Sequence, residues 1–178
     1  MMKKLLLLFS MFIFSFALFS QEKNRIYIGM DMYLFKMIYP KVIPLNAPST
    51  GQWARADSLY GLAGKWSYTF TDGKLEWCLW DIYIDSLCQS NFDKCLSGAK
   101  ALIKKYTEDY GKPLEFKVVD TTYRDPYKDH HWGYDVIYAK WKTDKIKFKI
   151  DFDFFGGKGE YHFIVNMGFF DKEYPYWD

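Results

Sequence analysis

The sequence lacks the short motifs of several common catalytic and cofactor sites. No serine stands in a Gly-x-Ser-x-Gly elbow, and the Gly-Gly-Lys-Gly run at residues 156–159 has neither the spacing of a phosphate loop nor a helix pattern after it. There is no Cys-x-x-Cys pair, so zinc knuckles and thioredoxin-like redox sites have no support. We therefore predict a protein that is not an enzyme and uses no cofactor.

Long apolar runs are missing after residue 19. Before it, two lysines precede an almost wholly apolar run at residues 5–19, and Ser20 is a small residue suited to cleavage. The run is shorter than the roughly twenty residues of a membrane-spanning helix, so we predict a cleaved secretory signal peptide over residues 1–20. The alternative is an uncleaved membrane anchor. A lipoprotein is not indicated, because no cysteine lies at the cleavage site.

An excess of charge of one sign is also absent. The 24 Lys and Arg residues include Lys3 and Lys4 of the predicted signal peptide, so 22 basic residues remain against 22 acidic ones. Nucleic-acid binding and docking to an anionic membrane both need clustered positive charge. We predict an exported protein, periplasmic or extracellular, with no nucleic-acid partner and no transmembrane segment after signal cleavage.

The chain has three cysteines, which cannot all pair with one another. Export permits disulfides. Cys88 and Cys95 flank a predicted helix start and are the candidate pair. Cys78 lies in a strand pattern, which is typical of a small buried hydrophobe.

The clearest predicted element is a helix over residues 91–110. Ser90 is a suitable N-cap, and Gly111 supplies the left-handed position after the last turn. Apolar residues recur between them at helical spacing. This stripe consists of Phe92, Leu96, Ala99, Ile103, Tyr106 and Tyr110.

Strand patterns follow the helix. In the best of them, apolar residues from Ile146 to Phe154 alternate with lysines and aspartates, as in an antiparallel strand with one buried and one solvated face. Turn signals join the last three patterns into a meander whose apolar face the helix can cover. The predicted strands are residues 115–120, 134–142, 145–154 and 160–170.

The first half of the chain repeats this theme more faintly. The pattern favours a strand into Ile28 and then a short helix over residues 31–39 after Asp31, although a strand over residues 25–35 also fits the alternation. The residues 40–64, rich in proline and glycine, are typical of a loop. A hairpin follows, with strands at residues 65–70 and 74–84 and its turn at Thr71-Asp72-Gly73.

Sequential antiparallel strands with segregated helices are typical of the α+β class. We predict a single domain over residues 21–178, in which an antiparallel meander sheet has helices packed on one face. Two halves, residues 26–84 and 91–170, each contain a helix and strands, which suggests two tandem helix-plus-sheet units.

Two segments resemble known exported domains. Residues 28–31 (Ile-Gly-Met-Asp) and 36–40 (Lys-Met-Ile-Tyr-Pro) resemble the Gly-Met helix opening of BamE (SmpA/OmlA)-like envelope proteins. Residues 66–70 (Trp-Ser-Tyr-Thr-Phe) and 72–75 (Asp-Gly-Lys-Leu) are similar to their hairpin, and the repeated helix-then-sheet order is similar to β-lactamase inhibitor protein. The resemblance implies an envelope-side binding or scaffold module rather than an enzyme. BamE proteins carry an anchor cysteine that this chain lacks.

Two groups of polar residues are candidates for chemistry. Asp and His side chains in a loop can bind a divalent metal, but adjacent histidines point in different directions, so we predict a solvated connector without a metal. These weak metal candidates are Asp129, His130 and His131. Separately, His162 could form an acid/base pair with Asp151 or Asp153 on the neighbouring strand, or an ordinary cross-strand polar pair.

Aromatic residues make up 21% of the chain and serve either the core or a binding surface. Trp77 and Trp80 lie on opposite faces of a predicted strand, so at least one ring is a surface candidate. The C-terminal Tyr174, Tyr176 and Trp177 either pack on a sheet edge or form an exposed anchor. With these five candidate residues we predict an exported, non-enzymatic binding or scaffold module of the bacterial cell envelope, whose partner is an envelope protein. The alternatives are a glycan-binding protein and a hydrolase of envelope polymers.

Overall fold

Strands dominate the fold. The structure, a computed structural model, describes residues 26–45, 51–125, 133–157 and 160–174. Its elements are α1 (Met32–Ile38), β1 (Ile43–Pro44), β2 (Gln52–Leu59), β3 (Leu62–Thr71), β4 (Lys74–Ile84), α2 (Gln89–Tyr110), β5 (Glu115–Val118), β6 (Gly133–Lys142), β7 (Ile146–Gly157) and β8 (Glu160–Asp171). The strands form one antiparallel sheet in the order β1-β2-β3-β4-β8-β7-β6-β5.

This sheet corrects the predicted fold class. Strands account for 51% of the described residues and helices for 22%, so one eight-stranded sheet dominates the fold and the predicted α+β class is wrong. The prediction of two tandem helix-plus-sheet units is also wrong. β4 pairs with β8 over eight residues, which joins the two halves of the chain into one sheet.

The predicted loop at residues 40–64 is the main source of this error, since it contains β1, β2 and the start of β3. Tyr60 and Gly61 have positive φ angles of 50° and 78° and form the tight turn between β2 and β3. Gly64 is a packing position, because a Cβ there would lie 2.6 Å from the Trp80 ring. These glycines build a sheet, although their density in the sequence is typical of a loop.

The short first helix is confirmed as α1. The predicted strand into Ile28 is wrong, because residues 26–28 belong to no strand, and the alternative strand over residues 25–35 is wrong as well. The Asp31 carboxylate caps α1 by accepting a hydrogen bond of 2.8 Å from the Tyr33 N–H. One side of the helix packs on the sheet, where Phe35 is fully buried against Tyr68 and Phe70. The hairpin that follows is also confirmed, with its turn at Asp72 and Gly73 in positive φ.

The long helix is confirmed as α2, which begins two residues before its predicted start. Cys88 holds the N-cap position and makes no side-chain capping bond, so the prediction of Ser90 as the cap is wrong. Gly111, with φ of 82°, ends the helix as predicted. Gly98 allows α2 to approach β3, because a Cβ there would overlap the side chain of Leu62.

Aromatic side chains fill the core between the sheet and the helices. The larger cluster lies under α2, where the Phe148 ring contacts Tyr106, Trp141 and Phe169. The smaller cluster lies under α1, and Trp66 and Phe169 contact both clusters. Because side chains alternate between faces along a strand, both clusters belong to one sheet face. Both helices pack on that face, and among the described residues no helix packs on the other.

Candidate functional site

The sheet face opposite the helices carries a row of polar side chains. Lys65, Asp81, Asn166, Asp151 and Tyr138 are directly opposed on the adjacent strands β3, β4, β8, β7 and β6. We call these five residues the polar row. Directly opposed side chains have Cβ atoms about 4.5–5.5 Å apart, so the row forms one continuous hydrogen-bonding surface across five strands.

Asp151 is the member of the polar row whose side chain is fixed by two contacts. Its side chain is almost wholly buried, at 6% exposure. Oδ2 accepts a hydrogen bond of 2.8 Å from Asn166 Nδ2, and Oδ1 lies 3.1 Å from Lys149 Nζ. A buried carboxylate requires such compensation for its lost hydration. The Asn166 and Lys149 contacts therefore hold an acceptor group at a defined place on the face.

Asp153 lies two residues further along β7 and has the same orientation. Burial, the negative charge of Asp151, a hydrogen bond with the Asp151 side chain and the charge of Asp135 on β6 together raise the pKa of its carboxyl group to about 8, while Lys149 opposes the shift. Its Oδ1 atom is buried and has no hydrogen-bond partner within the described part of the chain. Asp153 therefore keeps its proton near neutral pH and adds a hydroxyl donor to the face.

Asp81 is the third carboxyl group of this surface and is 6% exposed. Burial raises its pKa, and the opposed Lys65 lowers it. Lys65 is exposed to solvent, whereas the carboxyl groups of Asp81 and Asp151 in the same row are buried.

An aromatic group adjoins the polar row on the same face. Trp77 on β4 is opposite Phe170 on β8, and the Phe170 ring stacks on Tyr174 with a centroid distance of 4.9 Å. Gly168 makes room for this arrangement, because a Cβ there would lie 2.7 Å from the Phe170 ring. Trp77 and Tyr174 are half-buried. We call Trp77, Phe170 and Tyr174 the aromatic group.

His162 lies at the other end of the face, and its partner differs from the predicted one. Its Nδ1 atom lies 2.6 Å from Asp85 Oδ1, and the Tyr83 ring packs edge-on against it. The register of β7 and β8 explains the difference. It sets Asp151 opposite Asn166, Asp153 opposite Ile164 and His162 opposite Phe155. His162 therefore pairs with Asp85, and the interpretations in which it meets Asp151 or Asp153, as an acid/base pair or as an ordinary polar pair, do not hold.

The structure separates the predicted aromatic binding residues. Trp77 and Tyr174 come together on the polar face, where sequence spacing gave no reason to join them. Trp80 is fully buried in the core under α2, so we withdraw it as a binding candidate. Tyr176 and Trp177 lie outside the described residues.

Cys88 and Cys95, the candidate disulfide pair, are both free thiols in the structure. Cys95 lies two turns inside α2 and is buried in the core, whereas Cys88 precedes the helix and is exposed. The two side chains therefore point to different surroundings.

The weak metal candidates Asp129, His130 and His131 lie outside the described residues. Within the parts of the chain that are described, no group of three or more His, Cys, Asp or Glu side chains is arranged to hold a metal ion.

Sequence reasoning missed most of this surface. The alternation of residues 145–154 predicts that Asp151 and Asp153 share a solvated face. The structure shows that Asn166 of β8 lies on this same face, opposite Asp151. One sequence feature could have indicated this surface. Asp81 is the single acidic residue in the otherwise apolar run of residues 77–84, and a carboxyl group in such a strand indicates that its face of the sheet makes polar contacts.

Comparison of the chain with models of protein families, with curated proteins and with solved structures found no match. Among the described helices, none combines the length and the apolar character needed to cross a membrane.

Proposed function

We propose that this protein is an exported, non-enzymatic binding module of the bacterial cell envelope, and that its ligand is a glycan held on the polar face. The observation that carries the proposal is the position of the aromatic group beside the polar row on one surface. Phe170 and Asn166 are four residues apart on β8, which is about 13 Å along a strand. One extended ligand can therefore reach both.

The chemistry of the two groups suits a sugar chain. Aromatic rings offer flat apolar surfaces for the C–H faces of sugar rings. The Asn166 amide and the Lys149 and Lys65 ammonium groups are the accessible polar groups of this face and can hydrogen-bond to sugar hydroxyl groups, while the buried Asp151 holds Asn166 and Lys149 in place. A few placed polar groups beside aromatic side chains are the usual composition of a small-ligand site.

Export and envelope location rest on the sequence. The predicted signal peptide over residues 1–20 supports export. The resemblance of residues 28–40 and 66–75 to BamE-like proteins supports an envelope location and a binding role.

Tryptophan fluorescence tests this proposal. The purified protein is titrated with chitin oligosaccharides and with soluble peptidoglycan fragments. We expect a saturable change in emission that is lost in Trp77→Ala and kept in Tyr60→Ala, an exposed aromatic residue in the β2–β3 turn. Absence of binding to both glycans contradicts the choice of ligand. Release of shorter fragments during incubation contradicts the non-enzymatic role and supports a hydrolase of envelope polymers.

A protein partner is the second candidate, and the outer side of α1 favours it. Tyr33 is 75% exposed and Met37 is 66% exposed, and Ile43 in β1 is exposed as well. Tyr33 and Met37 are four residues apart and share one side of α1, and exposed apolar patches are typical of protein interaction sites. Under this alternative, Tyr33→Asp and Met37→Asp weaken capture of a partner from a crosslinked envelope extract, and Trp77→Ala leaves the capture unchanged.

A further inference from the structure

The two edges of the sheet differ in how they are protected. β1 has only two residues, and one of them is Pro44, which has no N–H group to offer to another strand. β5 forms the opposite edge and pairs only with β6 within the described residues. Open strand edges are templates for pairing with another chain.

β5 is also apolar on the core side of the sheet. Phe116 is opposite Ala139 and Val118 is opposite Ile137, and both of these β6 residues are buried. Phe116 and Val118 themselves are 54% and 50% exposed, and Leu114 just before the strand is 72% exposed. The core face of the sheet therefore continues into an uncovered apolar strip at this edge.

The backbone of β5 has hydrogen-bonding groups available on its outer side. The Val119 N–H donates to the Val136 carbonyl of the β6 side at 3.0 Å. In an antiparallel strand, successive residues direct these groups alternately toward opposite neighbours. The register between β5 and β6 is unbroken from Glu115 to Val118, so the N–H and C=O groups of Phe116 and Val118 point away from β6, whereas the Leu114 N–H just before the strand donates to the Lys140 carbonyl of β6 at 2.8 Å.

We propose that β5 pairs antiparallel with β5 of a second copy of this chain, about a two-fold axis at Phe116. In this register Glu115 is opposite the partner's Lys117, and Lys117 is opposite the partner's Glu115. Phe116 is opposite its own copy, and Leu114 is opposite the partner's Val118. Each charged residue of the edge therefore faces an opposite charge, and each apolar residue faces an apolar one. A closed two-fold interface requires such self-complementarity.

The charges select this register over the neighbouring one. An axis at Lys117 would set two lysines against each other, and directly opposed like charges are destabilising. The Tyr138 hydroxyl donates to Glu115, and Lys140 lies 3.5 Å from it, which together lower its pKa and keep it ionised. Lys117 is exposed.

Sedimentation velocity tests the pairing. The protein that accumulates on expression of the full chain is purified and measured from about 1 μM to about 1 mM, the range that covers weak interfaces. We expect a reversible dimer. In Lys117→Glu, the dissociation constant rises at least about tenfold, because two pairs of like charges then oppose each other. Lys100→Glu, on the exposed side of α2, makes the same charge change away from β5 and leaves the dimer intact.

Mixing two charge-reversal variants separates this interface from a folding defect. Lys117→Glu and Glu115→Lys are each expected to be monomeric, whereas an equimolar mixture forms a heterodimer, since every opposed pair again has opposite charges. A wild-type protein that stays monomeric throughout the concentration range overturns the proposal. Unchanged dimerisation of Lys117→Glu overturns it as well. So does a mixture that fails to associate although both variants show cooperative thermal unfolding.

Discussion

Asn166 Nδ2 donates a hydrogen bond of 2.8 Å to Asp151 Oδ2, while Asp153, two residues along the same strand, has a buried Oδ1 without a partner in the described part of the chain. The two carboxyl groups share one sheet face but differ in their compensation. Burial and the nearby charges of Asp151 and Asp135 raise the pKa of Asp153 to about 8. A proton on Asp153 is therefore part of the folded state near neutral pH.

Asp153 should make stability depend on pH. Its pKa is raised from 3.8 to about 8, so between these values the folded protein binds a proton that the unfolded chain has released. Stability is full below about pH 4, falls as the pH rises toward about 8 and then levels off. Asp153→Asn removes this loss, and we expect it to exceed the wild type by several kcal/mol in free energy of unfolding at about pH 8.5, since each unit between the two pKa values corresponds to about 1.4 kcal/mol.

Urea unfolding at several pH values measures this effect. At about pH 4 the variant and the wild type should have nearly equal stability, because the wild-type carboxyl group is then protonated in the folded state and close to half protonated in the unfolded chain, so little of the pH-linked loss has developed. Asp144→Asn, at an exposed position before β7, is the matched control and should keep the wild-type slope. If Asp153→Asn also keeps that slope, the group is not protonated at neutral pH.

The aromatic group should depend on Gly168. Gly168→Ala places a Cβ 2.7 Å from the original position of the Phe170 ring and displaces the ring without removing it. We expect glycan affinity to fall about tenfold in this variant and in Phe170→Ala, as for the loss of one stacked contact. Ser67→Ala, at a half-buried position on the same face, should bind as the wild type does. Full affinity of Gly168→Ala would show that Phe170 is not part of the site.

Packing and helix propensity make opposite predictions at Gly98. Alanine is intrinsically favoured over glycine in a helix by about 1 kcal/mol. At Gly98, however, the added Cβ overlaps the side chain of Leu62, which is itself buried in the core at 1% exposure. We expect Gly98→Ala to lower stability by about 1–3 kcal/mol. Ser97→Ala, on the exposed side of the same turn, should raise it slightly. Thermal unfolding decides the sign, and a stabilised Gly98→Ala contradicts the close contact between α2 and β3.

Thiol labelling tests the corrected cysteine assignment. Burial raises the pKa of the Cys78 thiol to about 12 and that of the Cys95 thiol to about 11, so neither is reactive in the folded protein. We expect Ellman's reagent to label Cys88 alone, and Cys88→Ser to abolish labelling with a stability change within about 0.5 kcal/mol. Protection of Cys88 that is removed by a reductant, together with a loss of about 2–5 kcal/mol in Cys88→Ser, would instead indicate a disulfide.

Local signals in the sequence predicted several elements well. Asp31 before a short apolar segment, Gly111 after a helical stripe and the Asp72-Gly73 turn each describe a conformation that neighbouring residues determine by themselves. The same signals failed at Gly61 and Gly64. Gly64 is required because the Trp80 ring of the next strand packs against it. In the sequence such a glycine cannot be distinguished from a glycine in a loop, and only the packed sheet shows the difference.

The sequence by itself determined the alternation of β7, the stripe of α2 and the charge balance, because each depends on composition or on the period of one segment. Only the tertiary structure shows that β4 lies beside β8. This neighbour relationship forms the single sheet and places Trp77 opposite Phe170. The contact of Asn166 with Asp151 likewise appears only in the folded sheet. These contacts join residues far apart in the chain. Which strands become neighbours depends on the packing of the whole core, and no local pattern contains that information.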